Sequence, residues 1–165
     1  MHRLLLVALI LAGGCTVRRM EPSGSIEEDR VRALVQQYYR ELSARRWPAY
    51  AGFFWPRATL TTVWRPPGDS APRVVVTPIE SFLATTAAGP DSKPVFEERL
   101  LTSPDVRVTG DLAQVWARYE ARFGDSIAVP AWRGTDAFTW IRHQGTWRIA
   151  SLTYADEPGQ RRGAP

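Results

Sequence analysis

Residues Leu112 to Phe123 alternate without a break. Ala113, Val115, Ala117, Tyr119, Ala121 and Phe123 fall on one side; Gln114, Trp116, Arg118, Glu120 and Arg122 fall on the other. Successive side chains of a strand point to opposite faces, so this period of two predicts a long strand with one core face and one wet or partner-contacting face. A chain holding such a strand must place a layer of apolar side chains against its inner face, and the preceding segments supply that layer.

Val31, Leu34, Val35, Tyr38 and Leu42 recur at helical spacing, which predicts an amphipathic helix. The pattern Ser25-Ile26-Glu27-Glu28 reads as a capping box at its start, and Arg45-Arg46 suits its C-terminal end. Pro48 is placed to open a second helix, Pro48 to Phe54, which Pro56 should stop. Strands are expected at 58–65 and 73–77, around a Pro66-Pro67-Gly68-Asp69 turn. Pro78 opens a third helix over 79–88, closed by Gly89-Pro90. Phe96 to Thr109 reads as a strand whose Ser103-Pro104 marks a bulge or an edge irregularity. Strands 135–142 and 146–154 flank His143-Gln144-Gly145, a tight hairpin signal. Helices gathered on one face of a curved antiparallel sheet make an α+β cone.

The chain of 165 residues suits one domain, and its 44% hydrophobic and 23% charged residues are ordinary for a globule. The expected boundaries are 1–14 for a signal peptide, 15–25 for a tether, 26–157 for the folded domain and 158–165 for a tail. Seven tryptophans fill a wide core or line an aromatic cavity. The net charge of +4 comes from scattered arginines, with Lys93 the only lysine. No basic track for nucleic acid and no glycine-rich phosphate loop are present.

Met1-His2-Arg3 is a short positive segment, and Leu4 to Ala12 is a run of nine apolar residues. As a helix that run would rise about 13 Å, well short of a ~30 Å hydrocarbon core, so it reads as a secretory signal. Cys15 is the only cysteine and cannot form a disulfide within the chain. Leu11-Ala12-Gly13-Gly14-Cys15 resembles the lipobox of bacterial lipoproteins, although Ala12 stands where leucine is more usual. The resemblance implies lipidation of Cys15 and cleavage before it. With Thr16 next, it implies retention in the cell envelope, at the periplasmic face of the outer membrane.

Two further segments carry a second resemblance. Val35-Gln36-Gln37-Tyr38 is followed by Ala49-Tyr50-Ala51-Gly52-Phe53-Phe54 and Ala58-Thr59-Leu60. Gly134-Thr135-Asp136-Ala137-Phe138-Thr139-Trp140 leads to Gly145-Thr146-Trp147-Arg148-Ile149. In order and spacing these resemble the NTF2-like superfamily, in particular its SnoaL-like branch that includes ketosteroid isomerase, across Glu27 to Tyr154. The resemblance implies a cone between the first helix and the sheet, lined by Tyr38, Tyr50, Phe54, Leu60, Thr62, Phe82, Ala117, Tyr119, Asp136, Phe138 and Trp140. Of these, Tyr38, Tyr50, Phe54, Thr62, Tyr119, Asp136 and Trp140 are the candidate ligand-binding residues.

The isomerase-like members use a helix tyrosine, a strand aspartate as general base and a protonated aspartate on a late strand. Tyr38 and Asp136 match the first and last, so they are the weak catalytic candidates. The base position falls on Thr61 or Thr62, whose hydroxyl cannot take a proton from carbon near neutral pH. His2 would leave with the signal and His143 lies in a turn, so no histidine-dependent site, metal site or cofactor is expected. Asp136 is read either as a pocket acid, with Tyr38 or Tyr119 as a second donor, or as a structural acid paired with a Tyr, a Trp, Arg40 or Arg118. Three functions compete: a non-catalytic envelope lipoprotein binding a small apolar or amphipathic molecule in the cone; a lyase, isomerase or hydrolase acting through Asp136; and an interaction scaffold using the convex face around Trp116, where a homodimer is also expected.

Overall fold

The structure is a computed structural model, and it describes residues 23–64 and 71–157. The lipobox, most of the tether, the 66–69 turn and the C-terminal tail lie outside the described residues. Helix α1 spans Ser23–Ser43. It begins two residues before Ser25, so Ser25 lies within the helix and not at the N-cap position. The buried stripe is Val31, Val35, Tyr38, Tyr39 and Leu42. Tyr39 is the member that the expected stripe lacked. The helix closes where the charge pattern suggested, and a Schellman arrangement does it. Arg46 N–H donates to Glu41 O and Arg45 N–H to Leu42 O, both at 3.0 Å, with Arg45 at φ 54°. The position usually favours glycine. Here the Arg45 guanidinium donates to Lys93 O at 2.8 Å and lies 5.7 Å over the Phe96 ring, anchoring the turn to the sheet side of the domain.

Helix α2 is short, Trp47–Ala51, with Pro48 in its first turn as expected. Pro56 does not stop it. The chain turns at Gly52, and strand β1 runs Phe54–Trp64 with Pro56 inside its irregular opening. Phe53 O accepts Ile149 N–H at 2.7 Å, so pairing with the last strand begins where the helix pattern was expected to continue. Strand β2 is Arg73–Pro78 and helix α3 is Ile79–Ala84. Helix α3 is four residues shorter than expected. Thr85 Oγ1 donates to Phe82 O at 2.9 Å and Ser81 O at 3.2 Å, competing for the carbonyls that another turn would need. A 3-10 turn follows at Pro90–Ser92.

Strands β3, Val95–Leu100, and β4, Asp105–Thr109, both pair antiparallel with β5, Leu112–Gly124. They form one edge interrupted around Ser103-Pro104, as the sequence suggested. Strands β6, Trp132–His143, and β7, Thr146–Asp156, make the final hairpin. Its two loop residues, Gln144 and Gly145, have φ 49° and 76°, the signs a type I′ turn requires. The sheet order is β2-β1-β7-β6-β5-β3, with β4 beside β5. All pairs are antiparallel except β1 with β7, which is parallel, because β1 enters the sheet from the helices and lies against the last strand.

The alternation of β5 holds: Ala113, Val115, Ala117, Tyr119 and Ala121 are buried while Gln114, Trp116 and Arg118 are exposed. The inner face of this curved sheet receives α1, which packs against β3 and β4. No described helix is long and apolar enough to cross a membrane.

Gly134 permits a close approach at the β6–β7 end. A Cβ there would stand 2.3 Å from Tyr119 Oη and 2.7 Å from Ala155 O. The absent side chain lets the Tyr119 ring lie flat across the strand. Gly134→Ala should therefore displace Tyr119 and destabilise the domain by roughly 1–3 kcal/mol, as overpacked sites do; a urea unfolding curve with an unchanged midpoint would refute this.

Candidate functional site

The inward residues of β1, β6 and β7 follow from register. Leu60 pairs with Leu152 and Thr62 with Tyr154; Phe138 pairs with Leu152 and Asp136 with Tyr154. Thr62 is buried on this face, while Thr61 points to the other side, beside Val76. Of the two threonines at the family's general-base position, only Thr62 thus faces the cone.

All seven candidate ligand-binding residues, Tyr38, Tyr50, Phe54, Thr62, Tyr119, Asp136 and Trp140, are buried. The structure brings four of them into one ring cluster. Tyr38 lies 5.1 Å from Tyr50, 6.1 Å from Phe54 and 5.1 Å from Phe138, which in turn lies 6.1 Å from Trp140. Phe53, which the sequence reading did not select, joins through Tyr38 and Trp140. Edge-to-face contacts of this kind add about 0.5–1.5 kcal/mol each beyond area burial. The rings thus fill the depth of the cone with each other. Phe82 is half-buried and packs on Tyr50 and Trp47. Of the tryptophans near the cone, Trp140 is fully buried and Trp147 is buried with Nε1 donating to Glu27 at 2.8 Å; the Trp64 side chain lies outside the described residues.

Asp136 is 2% exposed, and its Oδ2 accepts a 2.6 Å hydrogen bond from Tyr39 Oη. This contact fits the structural reading of Asp136, an acid tied to the first helices by a tyrosine hydroxyl. The arginines named as other partners do not take part: Arg118 pairs with Glu157 at 2.6 Å, and Arg40 is exposed. The tyrosines named as second donors to a ligand are engaged elsewhere: Tyr38 Oη lies 3.1 Å from Tyr50 Oη, and Tyr119 Oη donates to Asp156 Oδ1 at 3.3 Å. Neighbouring helix residues point about 100° apart, and the two hydroxyls part accordingly, that of Tyr38 meeting Tyr50 of α2 and that of Tyr39 meeting Asp136 of the sheet. Tyr39 stands four residues after Val35 and was legible from that spacing.

Burial pushes the Asp136 carboxyl up to about 7; the Tyr39 hydrogen bond opposes this and the nearby Asp156 charge adds to it. Burial also raises Tyr38, Tyr39 and Tyr50 well above the ordinary phenol value, so all three remain neutral donors. The arrangement can hold a neutral acid among phenols. It offers a proton donor and hydrogen-bond acceptors, but its base position is the hydroxyl of Thr62.

Comparison with known proteins agrees with this geometry. Residues 25–153 match the SnoaL-like domain family. The chain belongs to this family. Among solved structures, an NTF2-like protein of unknown function from Silicibacter pomeroyi is 22% identical over 81% of this chain and 98% of its own, with a TM-score of 0.57. A protein of unknown function from Mycobacterium tuberculosis is 20% identical over 81% and 73%, with a TM-score of 0.62. The beta subunit of a candidate aromatic-ring-hydroxylating dioxygenase from Novosphingobium aromaticivorans is 15% identical over 82% and 92%, with a TM-score of 0.61. These likenesses establish the NTF2-like fold. No curated protein matches the chain.

Because the folded value of Asp136 lies above the ordinary carboxylate value, the stability it contributes is full below about pH 4 and is lost as pH rises through about 7. Asp136→Asn should flatten this decline and leave the domain as stable as the parent, or more so, at pH 8. Tyr39→Phe should cost about 1–3 kcal/mol by stranding a buried acceptor. Urea titrations at pH 4.5 and 8 check both, and a parental stability that rises over this range together with an unchanged Asn slope would refute the assignment.

Proposed function

We propose that this chain is a cell-envelope lipoprotein, tethered through Cys15, whose SnoaL-like domain is a non-catalytic association module using the convex sheet face. One observation carries the reading: that face presents a row of small side chains between two exposed apolar ones while the cone is occupied by its own rings. Strand register places Trp116 beside Ala137, Ala137 beside Thr153, Thr153 beside Thr61 and Thr61 beside Val76, a row across five strands. Trp116 at one end is 60% exposed and Val76 at the other 57%, with Val63 and Val74 exposed in the next row. The residues between them are small. An exposed Trp next to a shallow floor is interface composition, and a two-fold pairing would lay each Trp116 over the partner's Ala137 and Thr153. Charged side chains rim the row. Glu120 binds Arg99 at 2.6 Å and Arg133 at 3.4 Å.

A catalytic role through Asp136 is less well supported, since Tyr39 occupies its Oδ2 and Thr62 stands where a base would act. Binding of a small apolar or amphipathic molecule in the cone is the second reading. One observation favours it: Trp140 Nε1 is buried with no hydrogen-bond partner, a free donor at the cone's depth. A ligand reaching it would have to displace rings of the aromatic cluster.

Sedimentation equilibrium separates the two readings. The parent chain should dimerise and Trp116→Arg should lower the association constant at least tenfold with an unchanged unfolding midpoint. A monomeric parent that instead gains thermal stability with a small apolar molecule, and loses that gain in Asp136→Asn, would transfer the function to the cone.

A further inference from the structure

A surface groove of about 450 Å³ lies at the closed end of the β6–β7 hairpin, away from both the cone and the Trp116 row. Its walls are Trp55, Pro56 and Ala58 from β1, Ile141 and His143 from β6, and Ala150 from β7, with Arg57 and Arg142 at the rim. Trp55 is fixed by Nε1 donating to Ile141 O at 3.1 Å, and its ring lies 6.1 Å from His143. Arg148 places its guanidinium carbon 5.1 Å over the Trp55 ring, and its Nε is buried without a hydrogen-bond partner. Arg57 sits at φ 66°, a costly conformation for a side chain of this size, held by its own N–H donating to Glu80 Oε1 at 2.8 Å. Strain of this kind has to be maintained by its surroundings, and here it fixes the Arg57 backbone at the groove's rim.

One lining residue of the groove, Arg142, also meets the first turns of α1. Glu27, in the opening turns of α1, accepts from Trp147 Nε1 and pairs with Arg142 at 3.2 Å. Cys15 is only eight residues before Ser23, where α1 begins. Eight extended residues reach about 28 Å, so a lipid on Cys15 would hold this pole of the domain within a short reach of the bilayer. Tryptophans and arginines on a membrane-proximal surface suit the headgroup layer: the indole lies at the apolar boundary and the guanidinium binds phosphate.

We propose that the groove between Trp55 and His143 docks onto the anchoring membrane and takes the phosphodiester of an anionic lipid headgroup, with Arg57, which lines it, as its cationic partner. The proposal rests on the reading of Cys15 as the lipid-bearing residue. Docking would orient the sheet so that the Trp116 row stands clear of the bilayer and available to a second copy.

The test uses the full processed chain in nanodiscs. Cys15 is the only native cysteine, so a cysteine introduced at Thr146, beside the hairpin turn, or at Ser126, in the loop between β5 and β6, is a unique label site once Cys15 is lipidated. Quenching of the label by brominated lipids should be at least twofold stronger at Thr146 than at Ser126 in discs containing 30 mol % phosphatidylglycerol, and the difference should shrink in pure phosphatidylcholine. Arg57→Asn removes the charge while tolerating the left-handed backbone, and it should abolish the dependence on phosphatidylglycerol. Arg107→Gln, on β4, should leave that dependence intact. Equal quenching at the two sites, or equal effects of Arg57→Asn and Arg107→Gln, in protein whose mass shows a lipidated Cys15 would overturn the groove and leave the anchor standing. A mass showing an unmodified Cys15 would overturn both.

Discussion

The interior of the domain is organised around a carboxyl group that has no access to water. Asp136 projects from the middle of β6 into a space closed by α1, and a charge there would face a large desolvation cost. Tyr39 meets it at 2.6 Å. That contact fixes which face of α1 turns to the sheet, and so it sends Tyr38 toward α2, where it meets Tyr50 at 3.1 Å. The ring cluster follows from that rotation. Gly134, two residues before Asp136 on the same face, gives Tyr119 room to reach Asp156 instead of Asp136. Two tyrosine–aspartate pairs thus stand side by side at the β6–β7 end of the cone, where burial, with the Asp156 charge adding to it, keeps the inner acid near its neutral form.

This polar seam has a functional consequence for how the fold is used. In a SnoaL-like domain the cone is the obvious place for chemistry, and here its acid is hydrogen-bonded, its depth is filled with aromatic side chains and its first strand presents a hydroxyl. Two other surfaces remain. The convex face offers a row of small side chains ended by Trp116 and Val76, and the hairpin pole offers a groove walled by Trp55, on which Arg148 stacks. They lie on different parts of the sheet, so a domain held to a membrane at one could pair with a second copy at the other. The proposed roles are therefore compatible, and each stands on its own residues.

Much of this architecture was legible from local pattern. The alternation of β5, the helical stripe of α1, the proline at the start of α2 and the type I′ hairpin all depend on interactions within a few residues, where period and turn chemistry are direct signals. The errors fell where distant partners compete. Pro56 reads as a helix stop, but Phe53 pairs with Ile149 almost a hundred residues on, and the strand starts early. Helix α3 loses its last turn to the hydroxyl of Thr85. Asp136 was identified as the unusual side chain and a tyrosine as one possible partner, but not Tyr39 in particular, because which neighbouring tyrosine faces a strand depends on how the whole helix is rolled.

The sequence by itself determined that there is a sheet with one buried face, a covering helix and an acid on that face, since periodicity and burial cost act along the chain. Tertiary structure alone decided what that acid binds, whether the rings fill the cone, and that Trp55, Arg57, His143 and Arg148 converge near the start of α1. Those relations join residues from separate strands, and no spacing in the chain encodes them; they arise only when β1 slides in parallel beside β7.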